Sequence, residues 1–245
     1  MVRVKDIYNY LNTVSPVETQ EDWDNSGMLV GDMNAPVKRV AVVLDIDEKA
    51  AAKAKEIGAD LIVSHHPVIF SSMKRFVKGS VPFELAANSI SAICMHTPLD
   101  IADGGTNDTL AELLGFKSYK GENPILRYAD IDETTAESLA SHIAKVLDTK
   151  VRFADGGKAI HKVAICTGGG ASLMSEAGEI DAFITGDAKH NDFLDAISSG
   201  ITLIAAGHFE TEFPVVPVLV KKLQEQFTDI EIIDLRQENP VQFTE

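Results

Sequence analysis

A chain of 245 residues, 45% hydrophobic and 24% charged, is long enough to bury a substantial core, and no stretch approaches the roughly 18 uninterrupted apolar residues of a membrane-spanning helix. Its 37 acidic against 22 basic residues give a formal charge of −15, a field that repels anionic membranes and makes nucleic acid an unfavoured partner. The N-terminal MVRVKDIYNYLN lacks the apolar core of a secretory signal, which points to the cytoplasm, and Cys94 and Cys166 sit inside apolar runs as buried structural thiols do.

Helical patterns and short β-branched runs alternate along the chain. The pattern predicts a helix near 3–14, a strand at 38–45 (KRVAVVLD), a helix near 47–57 stopped by Gly58, a strand at 59–64 (ADLIVS) and a helix near 82–89. A strand at 91–95 (SAICM) and a helix near 106–114 before Gly115 follow, then a helix near 133–147 and a strand at 161–167 (HKVAICT). The series closes with a helix near 171–179, strand 181–185 (DAFIT), helix 188–198, strand 201–206 (ITLIAA), helix 212–227 and strand 231–235 (IEIID). Trp23 reads as a core anchor.

Continuous apolar strands separated by helices imply mainly parallel sheets covered on both faces. RVAVVLD followed by DLIVSHH also reads like KVAICT followed by DAFITGD, and AICMH (92–96) reads like LIAAGH (203–208). The expectation is an α/β fold of two similar interlocked lobes with mainly parallel sheets flanked by helices, lobe I taking about 1–124 plus 222–245 and lobe II about 125–221.

Four of these strands end in polar chemistry: His65 and His66, then His96 through Asp100, then Gly186 and Asp187, then Gly207 and His208. Ligands bind beyond the carboxyl ends of parallel strands, so residues far apart in sequence converge there. Pro67 turns the chain so that adjacent imidazoles can be presented together. His208 and Glu212 lie four apart, with Thr211 a fitting N-cap and Glu212 the first residue of a helix that tolerates Pro214 in its first turn. Three histidines and two carboxylates, His65, His66, Asp100, His208 and Glu212, form the imidazole and oxygen mixture that suits Zn²⁺, Fe²⁺, Mn²⁺ or Co²⁺. Five ligands leave positions open on two ions, where a water would be lowered in pKa toward neutrality.

His96, Asp187 and His190 are candidates for orienting ligands or touching substrate. TGGGAS (167–172) is a tight turn by default, lacking the lysine and spacing of a P-loop. Lys74, Arg75 and Lys78 form the best local basic patch, with a solvated loop as its default reading. His142 and His161 show no partner pattern.

EDWDNSGMLVG (21–31), SHHP (64–67), HTPLD (96–100), ITGDAKH (184–190) and GHFETE (207–212), in that order, resemble the Nif-three-like dinuclear-metal family, also described as GTP cyclohydrolase I type 2 homologs. The resemblance spans nearly the whole chain and matches the short form, which lacks the extra domain that longer relatives carry between the halves. It implies that His65, His66, Asp100, His208 and Glu212 hold two divalent ions per chain, and that the chain forms a ring-shaped homohexamer with inward-facing sites.

The leading expectation is a metal-dependent hydrolase acting on a small phosphorylated or nucleotide-like substrate, with Glu212 or Asp100 assisting proton transfer. Two alternatives stand beside it. One is a non-catalytic metal-binding or metal-delivery protein; the other is a nucleic-acid-processing ring whose inner surface collects basic residues.

Overall fold

A computed structural model describes residues 1–244. The first stretch runs α1 (Val4–Val14), β1 (Gly27–Val30), β2 (Arg39–Val43), α2 (Glu48–Glu56), β3 (Leu61–Ser64), α3 (Val81–Ala87), β4 (Ser91–Cys94) and α4 (Thr97–Ile101). There follow α5 (Thr106–Leu113), β5 (Tyr119–Lys120), β6 (Arg127–Thr134), α6 (Ala136–Leu147), β7 (Arg152–Ala154), β8 (Ile160–Cys166) and a 3-10 turn (Gly170–Glu176). The chain ends with β9 (Ala182–Thr185), α7 (His190–Ser198), β10 (Thr202–Ala205), α8 (His208–Glu212), α9 (Val215–Gln226) and β11 (Glu231–Asp234). These elements make an α/β fold of two units. One comprises residues 1–102 and 216–238, the other 103–215 and the segment from Asn239 onward.

The first unit is built on a five-stranded sheet ordered β1-β4-β3-β2-β11. β4, β3, β2 and β11 run parallel, and β1 pairs antiparallel with β4 at the edge. The three central strands are buried almost end to end, which is why they read as unbroken apolar runs. α2 packs on the sheet through Ala50, Ala51 and Ala54, small enough to let the helix approach closely. Its first turn is closed by Asp47, which accepts from the Ala50 N–H.

The second unit has a six-stranded sheet ordered β5-β6-β8-β9-β10-β7. Its parallel centre is β8-β9-β10, while β6 and β7 flank it in antiparallel pairing, so this sheet is mixed. α6 lays Leu139, Ala140 and Ile143 onto a core that includes Ile160, Val163, Ile165, Ile184 and Ile204. Thr135 caps that helix by accepting from the Ser138 N–H, and Asp148 ends it in a left-handed conformation with φ 49°.

Within their own sheets the two units repeat one arrangement. Val40 pairs with Leu61 and Leu61 with Ser91, as Val163 pairs with Ala182 and Ala182 with Thr202. Asp60 accepts from the backbone of Lys38 and Arg39 at the start of β2, and Asp181 does the same for His161 and Lys162 at the start of β8. This register makes Asp187 the counterpart of His66 and Thr97 the counterpart of His208. The pairing of His96 with His208 that their similar strand endings suggest is therefore one residue out.

Three local expectations are corrected. Trp23 is not a core anchor, for its ring is 58% exposed. The helix expected to begin at Glu212 is two helices: α8 already holds His208, the chain breaks at Phe213 and Pro214, and α9 begins at Val215. Pro214 has no N–H to continue the first ladder and is tolerated only ahead of a new helix. The helix expected at 171–179 is the 3-10 turn. Among the described residues no helix is long and apolar enough to cross a membrane.

Candidate metal centre

In the first unit, the adjacent parallel strands β3 and β4 deliver His65, His66 and His96 to one edge of the sheet. Their ligand atoms all lie within 4.8 Å of one another. Each ring is fixed from behind. His65 Nδ1 donates to the Met95 carbonyl at 2.9 Å, His66 Nδ1 to Asp45 Oδ1 at 2.7 Å, and His96 Nδ1 to Asp24 Oδ1 at 2.7 Å. Because each partner oxygen only accepts, each Nδ1 carries a proton, and a neutral ring in that tautomer turns the Nε2 lone pair a metal ligand needs toward the cluster. Asp100, in α4, brings Oδ1 to 3.7 Å from His65 Nε2.

The anchors are themselves held. Asp24 accepts from His96, the Thr97 N–H and hydroxyl, Ser26 and the Asn25 N–H. Burial raises its carboxyl, but the hydrogen bonds from His96, Thr97 and the Asn25 N–H outweigh it and hold the group well below the usual carboxylate range. Asp45 follows β2, and the Gln237 side chain clamps that turn, accepting from the Leu44 and Asp45 N–H groups and donating to the Asp45 carbonyl. Beneath the histidines the Cys94 thiol donates to the His65 carbonyl, and burial, with Asp24 and Asp100 nearby, pushes it well above its ordinary range. Cys94 is thus a structural thiol, as its apolar setting implies.

In the second unit, β10 runs through Gly207, at φ 95°, into α8. The helix puts His208 and Glu212 on one face with Nε2 and Oε2 3.0 Å apart. His208 Nδ1 donates to Asp187 Oδ2 at 2.8 Å, repeating the carboxylate anchoring of His66 and His96. Glu212 is buried. The first glycine of TGGGAS supplies the space beside this pair. Gly168 sits at φ +60°, and a Cβ there would overlap Glu212 Oε1 and come within 3.1 Å of His208 Nε2. Its carbonyl accepts from the Gly186 and Asp187 N–H groups, and its own N–H donates to Thr211, so the turn is tied both to the segment carrying Asp187 and to the helix carrying His208 and Glu212.

Neutral imidazoles with fixed tautomers beside carboxylates make a donor set that fits a divalent ion such as zinc, iron, manganese or cobalt. His65, His66, His96 and Asp100 are thus assembled in one unit, and His208, Glu212 and Asp187 in the other, whereas His190 opens α7 as an exposed residue. His142 Nε2 donates to the Leu114 carbonyl and His161 lies at the surface beside Glu133, in keeping with their lack of a partner pattern. Sequence reading gave no role to the anchor Asp45, reached Asp24 only as part of a loop placed near the site by resemblance, and reached Gly168 only as part of TGGGAS. Asp45 was signalled only as the polar end of KRVAVVLD, and Asp24 only as part of EDWDNSGMLVG.

Comparison with known proteins finds relatives of matching length. A GTP cyclohydrolase 1 type 2 homolog of Campylobacter jejuni is 37% identical over 99% of this chain and 100% of its own length. A Helicobacter pylori protein named GTP cyclohydrolase 1 type 2 is 33% identical over 86% and 88%. Among solved structures, Staphylococcus aureus protein SA1388 superposes with a TM-score of 0.88 at 26% identity, covering 99% of both chains. Reduced HcgD from Methanocaldococcus jannaschii gives a TM-score of 0.85 at 26% identity, covering 96% of this chain and 98% of its own. The family model described as Duf34/NIF3 (NGG1p interacting factor 3) matches residues 2–240, and with a full-length relative at 37% identity beside it, the chain belongs to that family.

Proposed function

We propose that His65, His66, Asp100, His208 and Glu212 together hold two divalent ions, and that the protein is a metal-dependent hydrolase acting on a small phosphorylated or nucleotide-like substrate. The observation that carries this reading is the anchoring of every one of these imidazoles through Nδ1, which dedicates Nε2 to a ligand. The names borne by the Campylobacter and Helicobacter relatives support the nucleotide-like substrate class. Two bound ions would supply Lewis acidity that polarises a substrate oxygen and lowers the pKa of water.

The chain's own residues do the rest. Asp45 and Asp187 hold His66 and His208 in register, and Gly168 leaves room for the Glu212 carboxylate. Asp100 and Glu212 can each accept a proton, more weakly once they bind metal. By family resemblance we also propose a cytoplasmic homohexamer, which light scattering would report as about six copies of the 26.5 kDa chain.

The test pairs elemental analysis with turnover. Purified protein should retain divalent metal, and His65→Ala and Glu212→Ala should each lose about one ion per chain. Fully loaded protein should convert GTP or a member of a phosphoester panel. Loading without any turnover would sink the hydrolase reading and favour metal storage or delivery.

A further inference from the structure

Two large aromatic side chains stand in solvent beside the histidine cluster of the first unit. Trp23, the chain's single tryptophan, is 58% exposed and Phe70 is 52% exposed. Their ring centroids are 6.0 Å apart, and both meet the His96 ring edge-on, at 5.9 and 6.2 Å. His96 in turn lies 5.3 Å from the His65 ring and 5.5 Å from that of His66. The aromatic pair thus borders the rings that face the proposed metals.

Their exposure is built in. The Asp24 N–H donates to the Glu21 carbonyl, the Glu21 N–H to Thr97, and the Asn25 amide to the Ile69 carbonyl next to Phe70. The backbone on both sides is therefore pinned while the rings forgo the stabilisation of burial. The loop that carries Phe70 adds charge. From Pro67 to Ser80 it holds Lys74, Arg75 and Lys78 and no acidic residue, in a chain whose formal charge is −15.

We propose that Trp23 and Phe70 form a stacking platform for the flat ring of a purine-like nucleotide, whose phosphates are drawn by the cationic loop at Lys74, Arg75 and Lys78. Every heterocycle has a π face, so such a platform selects for a planar ring, and the cations select for an anionic one. The proposal rests on the hydrolase reading for the reaction that follows and narrows its substrate class. Binding itself is measurable without turnover.

The experiment uses full-length protein and three probes, GTP, guanosine and ribose 5-phosphate. Intrinsic fluorescence reports Trp23 directly, calorimetry gives the affinities, and the metal content of each sample is measured alongside. GTP and guanosine should quench saturably and ribose 5-phosphate should not, and the advantage of GTP over guanosine should shrink as salt rises. Trp23→Leu and Phe70→Leu should each weaken GTP binding at least about tenfold with metal content and thermal midpoint unchanged, and Trp23→Tyr should recover most of the loss.

Metal-loaded protein that shows no quenching by GTP refutes the platform and leaves the metal centre standing. Quenching in protein that takes up no metal does the reverse. Variants that bind GTP as the parent does overturn the proposal. So does a ten-nucleotide single strand bound more than about a hundredfold tighter than GTP, which would make the surface a nucleic-acid track.

Discussion

At the scale of single residues, the information lies in what stands behind each imidazole. Asp45 is half-exposed and adds little to stability, yet it fixes the His66 ring. Asp45→Asn should lower metal affinity by about 10- to 100-fold with little change in urea resistance, as read by titration with a competing chelator. Gly168→Ala should act on both. Its left-handed φ and the overlap with Glu212 should cost more than about 1 kcal/mol and also reduce metal content. A variant with parental stability and metal content would remove Gly168 from the account. The candidate ligands were legible because a polar residue ending an apolar strand stands out. The anchors were not, since Asp24 reaches His96 across 72 residues and no local pattern records that contact.

At the scale of elements, the central strands could be read because burial on both faces leaves an unbroken apolar run. β6, in RYADIDET, is buried at its first three residues only, and β1 and β7 are short edge strands, so none carried that signature. The one-turn α8 escaped for a different reason: Pro214 was assigned to the turn that starts at Glu212, whereas it separates two helices. Caps behave as their chemistry dictates. Thr135→Ala removes the acceptor for the Ser138 N–H and should destabilise α6 by about 1 kcal/mol, seen as a lower urea midpoint of the second unit by hydrogen exchange at its core amides.

At the scale of the molecule, charge burial sets the response to acid. Arg127 is fully buried, and its Nε donates to Asp108 Oδ1 at 2.6 Å within the second unit. Burial raises the Asp108 carboxyl, but the Arg127 hydrogen bond and charge and the Gly104 N–H bring it below its ordinary value. A lowered folded pKa means stability that is fully present above the unfolded value of about 4 and drains as pH falls through the folded one. Asp108→Asn should cost about 3 kcal/mol at neutral pH, and the gap between variant and parent should close on acidification. Urea melts at a series of pH values would show this, and a gap that stays constant down to acid would rule it out.

The order of synthesis gives Gln237 a further meaning. β11 completes the first sheet beside β2, and three residues beyond it Gln237 grips the turn that carries Asp45, which aims His66. Residues 103–215 form a continuous insertion that leaves the ribosome before that grip can exist. A nascent or C-terminally clipped chain therefore lacks the clamp behind Asp45, and the aim of the His66 ring comes to depend on the last strand being in place.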